Sequence, residues 1–380
     1  MNFELSEEQQ QLADSLRKLL ANDYDFEKRK AIILSPSGVS DAIWSTFAEL
    51  GLTAIAVPEA DGGFGGGALD LMAAMEACGE ALVVEPLLDN IGLAGRLLAK
   101  QGSAAQRLAL LPGLIDGSIK LAFAGLEPGR RYEQTPEKTT AKADGAGWVL
   151  TGEKSVVIGA PSANRLIVSA RTGGYVGNGQ EGVSLFLVDP KAAGVKHNPS
   201  RTVDGMRAAD VSFSEVKLGA DALLGAAGEA LPAIDEALDF ATALLCAEAI
   251  GAMKFANETT LEYIKTRKQF GVPIASFQVL QHRMVEMVII CEQARSMAIL
   301  AASKVDDDKL PAAERQRAVS AAKVKIADAA RHISQESVQL HGGMGMTEEL
   351  KISHTFRRLT MIAQRFGDAD HHLERYAALG

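Results

Sequence analysis

Apolar residues recur at helical spacing through the first third of the chain. Ser6 can cap a helix whose apolar positions run from residue 12 to residue 20. Further helix-like stretches lie at 41–50, 68–81 and 85–100. Residues 57–67 are rich in Gly and contain Pro58, so they interrupt any helix and predict a loop. Residues 1–117 are therefore predicted to form a helical N-terminal domain.

The periodicity changes near Lys120. From there to about Gly225, short alternating or β-branched runs are separated by turn signals, which is typical of strands. The strands are expected at 120–124, 147–152, 165–170, 182–188 and 210–216. Asp144-Gly145 and Thr172-Gly173-Gly174 stand where hairpin or loop turns are needed. Residues 118–225 are predicted to be an all-β middle domain, a barrel or a sandwich.

Helical spacing returns at Leu231 in long stretches rich in Ala, Met and Leu. About four long helices are expected, at 231–266, 276–303, 312–340 and 348–364. Residues 226–380 are therefore predicted to form a C-terminal four-helix bundle, which makes the fold class α+β. The first two of these helices are apolar on more than one face, so we expect this domain to carry a subunit interface.

Composition narrows the class of protein. A chain of 380 residues exceeds one hydrophobic core, and its net charge of −9 argues against nucleic-acid binding. Cys78, Cys246 and Cys291 lie far apart in apolar stretches, which predicts buried free thiols and a reducing compartment. No apolar run approaches the roughly 18 residues of a membrane span. With no signal pattern at its N-terminus, the chain is expected to be cytoplasmic.

Two motifs favour ordinary structure over chemistry. Residues 63–68 nominally match a dinucleotide fingerprint, but Pro58 and the absence of a βαβ unit favour a flexible loop. His371 and His372 are adjacent, and neighbouring side chains on a helix point about 100° apart, so we expect no shared metal ion.

The most informative segments lie in the C-terminal half. Arg267-Lys268-Gln269-Phe270-Gly271 ends one long helix and is followed by Phe277-Gln278. Gln339-Leu340-His341-Gly342-Gly343-Met344-Gly345 ends another. Alone, such an Arg could cap a helix dipole and such glycines could end a helix. In this order, after an α–β–α layout, they resemble the acyl-CoA dehydrogenase family, and the resemblance covers the whole chain.

That resemblance implies FAD as the cofactor and an acyl-CoA thioester as the substrate. In the family, positions matching Arg267, Phe270, Gln278, Gln339, Gly342 and Gly343 hold the pyrophosphate and adenosine of the FAD in an adjacent subunit. A planar Arg suits phosphate oxygens, and glycines let backbone N–H groups approach. The implied reaction removes an α-proton with a carboxylate base while hydride passes from the β-carbon to flavin. The expected electron acceptor is an electron-transfer flavoprotein, with molecular oxygen as the alternative.

The sequence departs from the family where a subunit serves its own flavin. The family's Glu base falls on Phe366 or Gly367, and a second base position used by some members matches Ala241, followed by Thr242 in place of an Arg. The flavin-contacting runs of the middle domain also differ. They become Leu126-Glu127-Pro128, Arg130-Arg131-Tyr132 and Val156-Val157-Ile158.

This asymmetry predicts the helper-type subunit of a heteromeric acyl-CoA dehydrogenase. Such a chain resembles the small subunit of pimeloyl-CoA dehydrogenases and the paired subunits of bacterial steroid-side-chain enzymes. The expected partner is a homologous dehydrogenase subunit in a heterotetramer, or a second copy in a homo-oligomer. Two alternatives stay open: a self-sufficient enzyme with Asp368 or Asp370 as base, and a non-catalytic scaffold on the same fold.

Overall fold

The computed structural model describes residues 6–174 and 182–380, and its elements follow the predicted order of helices, strands and helices. The first part holds six α-helices and a π-helical segment, Leu88–Gly95, just before α5. The helices are α1 (Glu7–Asp23), α2 (Phe26–Leu34), α3 (Asp41–Glu49), α4 (Ala68–Ala81), α5 (Arg96–Gln101) and α6 (Ala104–Ile115).

Local hydrogen bonds explain where these helices begin. Ser6 and Gln9 form a capping box at the start of α1, as the sequence predicts. The helices α2 and α6 were not predicted. A second capping box, Ser103 with Gln106, begins α6 although Pro112 lies inside it.

The glycine-rich run at 57–67 is a loop, as predicted, and its last glycine has a specific structural role. Asp306 accepts hydrogen bonds from the backbone N–H groups of Ala68 (2.6 Å) and Leu69 (2.9 Å) at the start of α4. A Cβ at Gly67 would lie 2.4 Å from the Asp306 carboxylate. The helix N-terminus that a pyrophosphate would need is therefore occupied by a side chain of this chain.

The middle of the chain forms one eight-stranded mixed sheet with the strand order β6-β7-β3-β2-β4-β5-β8, and β1 pairs with β4. The strands are β1 (Leu121–Ala124), β2 (Thr140–Asp144), β3 (Gly147–Ile158), β4 (Arg165–Arg171), β5 (Val183–Val188), β6 (Val195–Arg201), β7 (Arg207–Leu218) and β8 (Leu223–Leu224). The five predicted strands are all present, and Gly145 makes the expected β2–β3 hairpin turn at φ +61°. Strands β2, β6 and β8 were missed because they are short or polar.

The last part holds five helices, one more than predicted. They are α7 (Leu231–Thr266), α8 (Gln278–Val305), α9 (Ala312–His341), α10 (Lys351–Gln364) and α11 (Ala369–Ala378). A two-residue-per-strand hairpin, β9 (Lys268–Gln269) and β10 (Val272–Pro273), joins α7 to α8. The three cysteines are free and buried, as predicted.

Contacts between Cα atoms divide the chain into two compact units. One comprises 1–30, 67–83 and 242–380, and the other comprises 31–66 and 84–241. The division falls inside α7, and the predicted domain limits at 117 and 225 stay predictions. Within the described residues, no helix combines the length and apolarity needed to cross a membrane.

Candidate functional site

The predicted flavin-binding arginine stands at the end of α7 in a tightly built corner. The carbonyl of Arg267 accepts from Ile274 N at 2.9 Å, which closes the β9–β10 hairpin behind it. Phe270 and Gly271 form the hairpin turn with φ of +55° and +82°, as a type I′ turn requires. Phe270 is 91% exposed although a bulky residue in this backbone region is strained, which is common at binding sites.

The predicted glycine pair stands at the end of α9. Gly342 leaves the helix with φ +62° and ψ −146°. A Cβ added at Gly342 or at Gly343 would meet nothing within 4 Å, so the backbone here is open to a ligand. Gln339, one turn earlier, is exposed, as is Gln278 at the start of α8.

An aromatic stack brings these two segments together. The ring of Tyr263, one turn before Arg267, lies on the ring of His341, with centroids 4.3 Å apart and planes 26° apart. Arg267 is exposed and forms no ion pair within the described part of the chain. An exposed guanidinium without an ion-pair partner suits a phosphate-bearing group, and the exposed glycines leave room for one, so these residues fit half of a site for FAD.

The two positions predicted for the family's base carry no side chain that accepts a proton. Ala241 is fully buried in α7, next to buried Thr242. The other position is the turn between α10 and α11, where Phe366 has φ +58° and Gly367 has φ +121°. A Cβ at Gly367 would lie 2.5 Å from Cδ2 of His371, so the ring would have to move to admit a side chain there. Which of Phe366 and Gly367 matches the position of the base stays a prediction.

Buried polar groups fix this turn. Nζ of Lys323 donates to the carbonyls of Gly367 (2.6 Å) and Ala363 (3.1 Å). Nε2 of His372 lies 3.1 Å from the carbonyl of Phe366, so it must be the donor, and Nδ1 accepts from Ser320 at 3.2 Å. Burial lowers the pKa of Lys323 to about 8, and burial together with the charge of Lys323 lowers the pKa of His372 to about 2.

Asp368, the candidate base, has a structural partner. Its carboxylate caps α11 by accepting from His371 N at 2.9 Å. Asp368 and Asp370 line a cleft of about 390 Å³ between α9, α10 and α11, together with Asp328 and Arg331. The cleft carries three carboxylates, so it favours cationic over phosphate-bearing ligands.

In the middle sheet, the segments that match the family's flavin-contacting runs are neighbours. The carbonyl of Leu126 accepts from Ser155 N at 2.9 Å. Val156 lies at an irregularity of the β3–β7 ladder with φ +49°, held by a hydrogen bond from its N–H to Asp210 (2.9 Å). A β-branched residue in this conformation is strained.

The buried ion pair beneath those segments is structural. Glu127 accepts from the backbone N–H groups of Glu137, Lys138 and Thr139 at 2.7–2.9 Å. Lys154, fully buried, lies 3.8 Å from Glu127 and donates to the carbonyl of Gly125 at 2.7 Å. Burial lowers the pKa of Lys154 to about 7, although the charge of Glu127 opposes that shift.

Sequence reasoning missed Lys323, His372 and the Tyr263–His341 stack. A lone Lys in an Ala-rich helix gives no signal of burial, and residues 78 positions apart give no signal of contact.

Comparison with known proteins covers nearly the whole chain. Residues 6–118, 122–218 and 230–378 match the N-terminal, middle and C-terminal domain models of acyl-CoA dehydrogenase. Acyl-CoA dehydrogenase FadE12 of Mycobacterium tuberculosis is 32% identical over 376 residues, which is 95% of this chain and 93% of FadE12.

Solved structures with the same fold also match nearly the whole chain. The Tcur3481-Tcur3483 steroid ACAD G363A variant is 29% identical with a TM-score of 0.87, covering 98% of this chain and 97% of that one. The FAD complex of PigA is 25% identical with a TM-score of 0.90, covering 100% of this chain and 98% of that one. The chain belongs to the acyl-CoA dehydrogenase family, FAD-dependent oxidoreductases that act on acyl-CoA.

Proposed function

We propose that this chain is the helper-type subunit of a heteromeric acyl-CoA dehydrogenase, which completes the FAD site of a homologous, base-bearing partner. One observation carries the proposal. Ala241 and the Phe366-Gly367 turn match the positions predicted for the family's base and carry no carboxylate, while the Arg267 guanidinium and the Gly342-Gly343 backbone are exposed.

The missing base decides what the chain can do alone. An α-proton of a thioester is weakly acidic, so its removal needs a carboxylate within about 3 Å in a water-poor site. Neither Ala241 nor Phe366 accepts a proton. The carboxylate of Asp368 caps α11 by accepting from His371 N. To act as the base, it would have to leave this cap.

The residues offered to a partner suit the FAD of that partner. Arg267 would bind pyrophosphate oxygens, Gly342 and Gly343 would present backbone, and Phe270 would cover an apolar part of the cofactor. FAD, when bound, supplies the acceptor for the hydride from the β-carbon. The residues of this chain orient and retain the cofactor.

Exposed apolar side chains on α8 fit a homologous subunit as the partner. Val279, Val285, Val288 and Ile289 are 47–65% exposed, and Val285 and Ile289 lie about one helical turn apart on one face. Exposed apolar groups that share a face favour an interaction site. The steroid ACAD that resembles this chain carries the names of two components, which supports a heteromeric assembly. An electron-transfer flavoprotein is the proposed electron acceptor, and the buried free thiols suit a cytoplasmic location.

The test compares the purified chain with the chain co-expressed with a Glu-bearing homologous subunit. Dye reduction is measured with straight-chain, branched and dicarboxylic acyl-CoAs, alongside the visible spectrum of the flavin. We expect negligible turnover alone and turnover with yellow colour only with the partner. The matched variant is Asp368→Asn, because Asn keeps the helix cap while removing the charge.

Two outcomes would contradict the proposal. Turnover of a few per second by the chain alone that collapses in Asp368→Asn would make Asp368 the base of a self-sufficient enzyme. A colourless, inactive protein with every Glu-bearing homologue would indicate a scaffold.

A further inference from the structure

We propose that Tyr263 and His341 are positioning residues that fix the spacing between the two parts of the flavin half-site, Arg267 and the Gly342-Gly343 backbone. This inference rests on the proposed function. Neither ring needs to contact the cofactor, because Tyr263 acts through Arg267, one helical turn later, and His341 acts through Gly342, the next residue.

On the α7 side, Tyr263 sets the place of Arg267. The carbonyl of Tyr263 accepts from Arg267 N at 2.8 Å, so the two residues are one helical turn apart and rigidly linked. Beyond them the chain enters the hairpin, where Ile274 N returns to the carbonyl of Arg267. A displacement of the Tyr263 ring would therefore move Arg267 with it.

On the α9 side, His341 is held by a hydrogen bond within its own helix and directly precedes the glycines. Its ring is 4% exposed, and Nδ1 lies 2.8 Å from the Ser337 carbonyl, so Nδ1 carries the proton and donates. Gly342 follows directly with its reversed backbone. The turn then folds back so closely that a Cβ at Gly345 would lie 3.0 Å from Cβ of His341.

The stack joins these two segments. The ring centroids lie 4.3 Å apart with planes 26° apart, which is a stacked contact between aromatic rings. Burial lowers the pKa of His341, so the ring is neutral and adds no charge beside Arg267. Pre-organised contacts improve affinity by removing the cost of ordering them on binding.

The experiment measures the dissociation constant of FAD from the assembled enzyme by flavin fluorescence, and the unfolding midpoint of the chain without FAD. Tyr263→Leu and His341→Leu remove one ring each, and Tyr263→Phe retains the stack. We expect FAD to bind about three- to tenfold more weakly in the Leu variants, from the usual energy of an aromatic pair, and within twofold of wild type in Tyr263→Phe.

Phe255→Leu is the matched control. Phe255 is a partly buried ring two turns earlier on α7, packed on the ammonium of Lys351 at 4.0 Å and remote in sequence from the half-site. It should lower the unfolding midpoint while leaving FAD affinity unchanged. If Tyr263→Leu behaves in the same way, the stack is merely structural and the inference is wrong.

A double variant separates this inference from the proposed function. If the stack acts through the position of Arg267, Tyr263→Leu combined with Arg267→Ala should lose little more FAD affinity than Arg267→Ala alone. Fully additive losses would contradict positioning. If Arg267→Ala itself leaves FAD affinity unchanged, the proposed function fails first.

Discussion

At the scale of single residues, the proposed contact with FAD depends most on Arg267. Its guanidinium is exposed, and the backbone on either side of it is held by hydrogen bonds to Tyr263 and Ile274. The sequence alone predicts the residue through the family resemblance. The structure adds that nothing within the described residues competes with a phosphate for its charge by forming an ion pair with it.

We therefore expect Arg267→Ala to weaken FAD retention in the assembly about ten- to a hundredfold. A charge-assisted phosphate contact is worth roughly 1.5–3 kcal/mol, which converts to that range. The measurement is flavin occupancy after dialysis, with the fold checked by circular dichroism. Lys268→Ala removes the same charge from the neighbouring exposed residue and should change occupancy little. Equal losses in both variants would point to net charge instead of a specific contact.

At the scale of elements, hydrophobic spacing predicted much of the fold. The limits of α7 and α4 agree with their predicted ranges to the residue, because both are long apolar runs. The edge strand β6 was not predicted because five of its seven residues are exposed and none is buried, so it lacks the alternation of apolar and polar residues. The helix α11 was missed because its apolar face is short and its start depends on the Asp368 cap.

Of the candidate site, only the residues that lie in sequence motifs could be predicted. The residues of the half-site follow one another in two short segments, so a resemblance could locate them. The polar side chains that hold the Phe366 turn come from two helices: Ser320 and Lys323 from α9, and His372 from α11. Such contacts depend on which helix faces meet, and that information lies in packing, which a single sequence does not display.

Buried histidines make the C-terminal helices sensitive to acid. Burial lowers the pKa of His372 to about 2 and that of His354 to about 4, against an ordinary value near 6.5. The unfolded chain therefore takes up protons below about pH 6.5 that the folded chain refuses. The free energy of unfolding should be level above that pH and fall below it, by about 2 kcal/mol at pH 5 for His372.

Urea denaturation at pH 7.5 and at pH 5.0 measures this loss. In His372→Gln, the loss of unfolding free energy between the two pH values should be smaller, because one proton fewer is taken up on unfolding. Stability at pH 7.5 should also drop, because the hydrogen bonds to Ser320 and Phe366 weaken. His282→Gln changes an exposed histidine on α8 and should leave the pH dependence as in wild type. An unchanged pH dependence in His372→Gln would show that His372 does not remain neutral in the folded chain.

At the scale of the whole molecule, the proposed function implies a second subunit, because a chain that completes a flavin site without supplying a base would be incomplete alone. The residues predicted to contact FAD are Arg267, Phe270, Gln278, Gln339, Gly342 and Gly343. The positions predicted for the base, Ala241 and either Phe366 or Gly367, carry no carboxylate.

We accordingly expect the chain to be found in an assembly and not as a monomer. Exposed Val285 and Ile289 lie four residues apart on one face of α8, and leaving such a face in water is unfavourable by roughly 25 cal/mol for each Å² of apolar surface. Sedimentation velocity at micromolar concentration distinguishes a lone 40.2 kDa species from a larger one.

The combined variant Val285→Glu and Ile289→Glu should dissociate the assembly, because it would bury two unpaired carboxylates. Leu108→Glu, at a residue of α6 that is 78% exposed, should leave the assembly intact. A 40.2 kDa species for the chain alone would leave the heteromeric form standing, and the same species in the presence of a Glu-bearing homologue would contradict the assembly altogether.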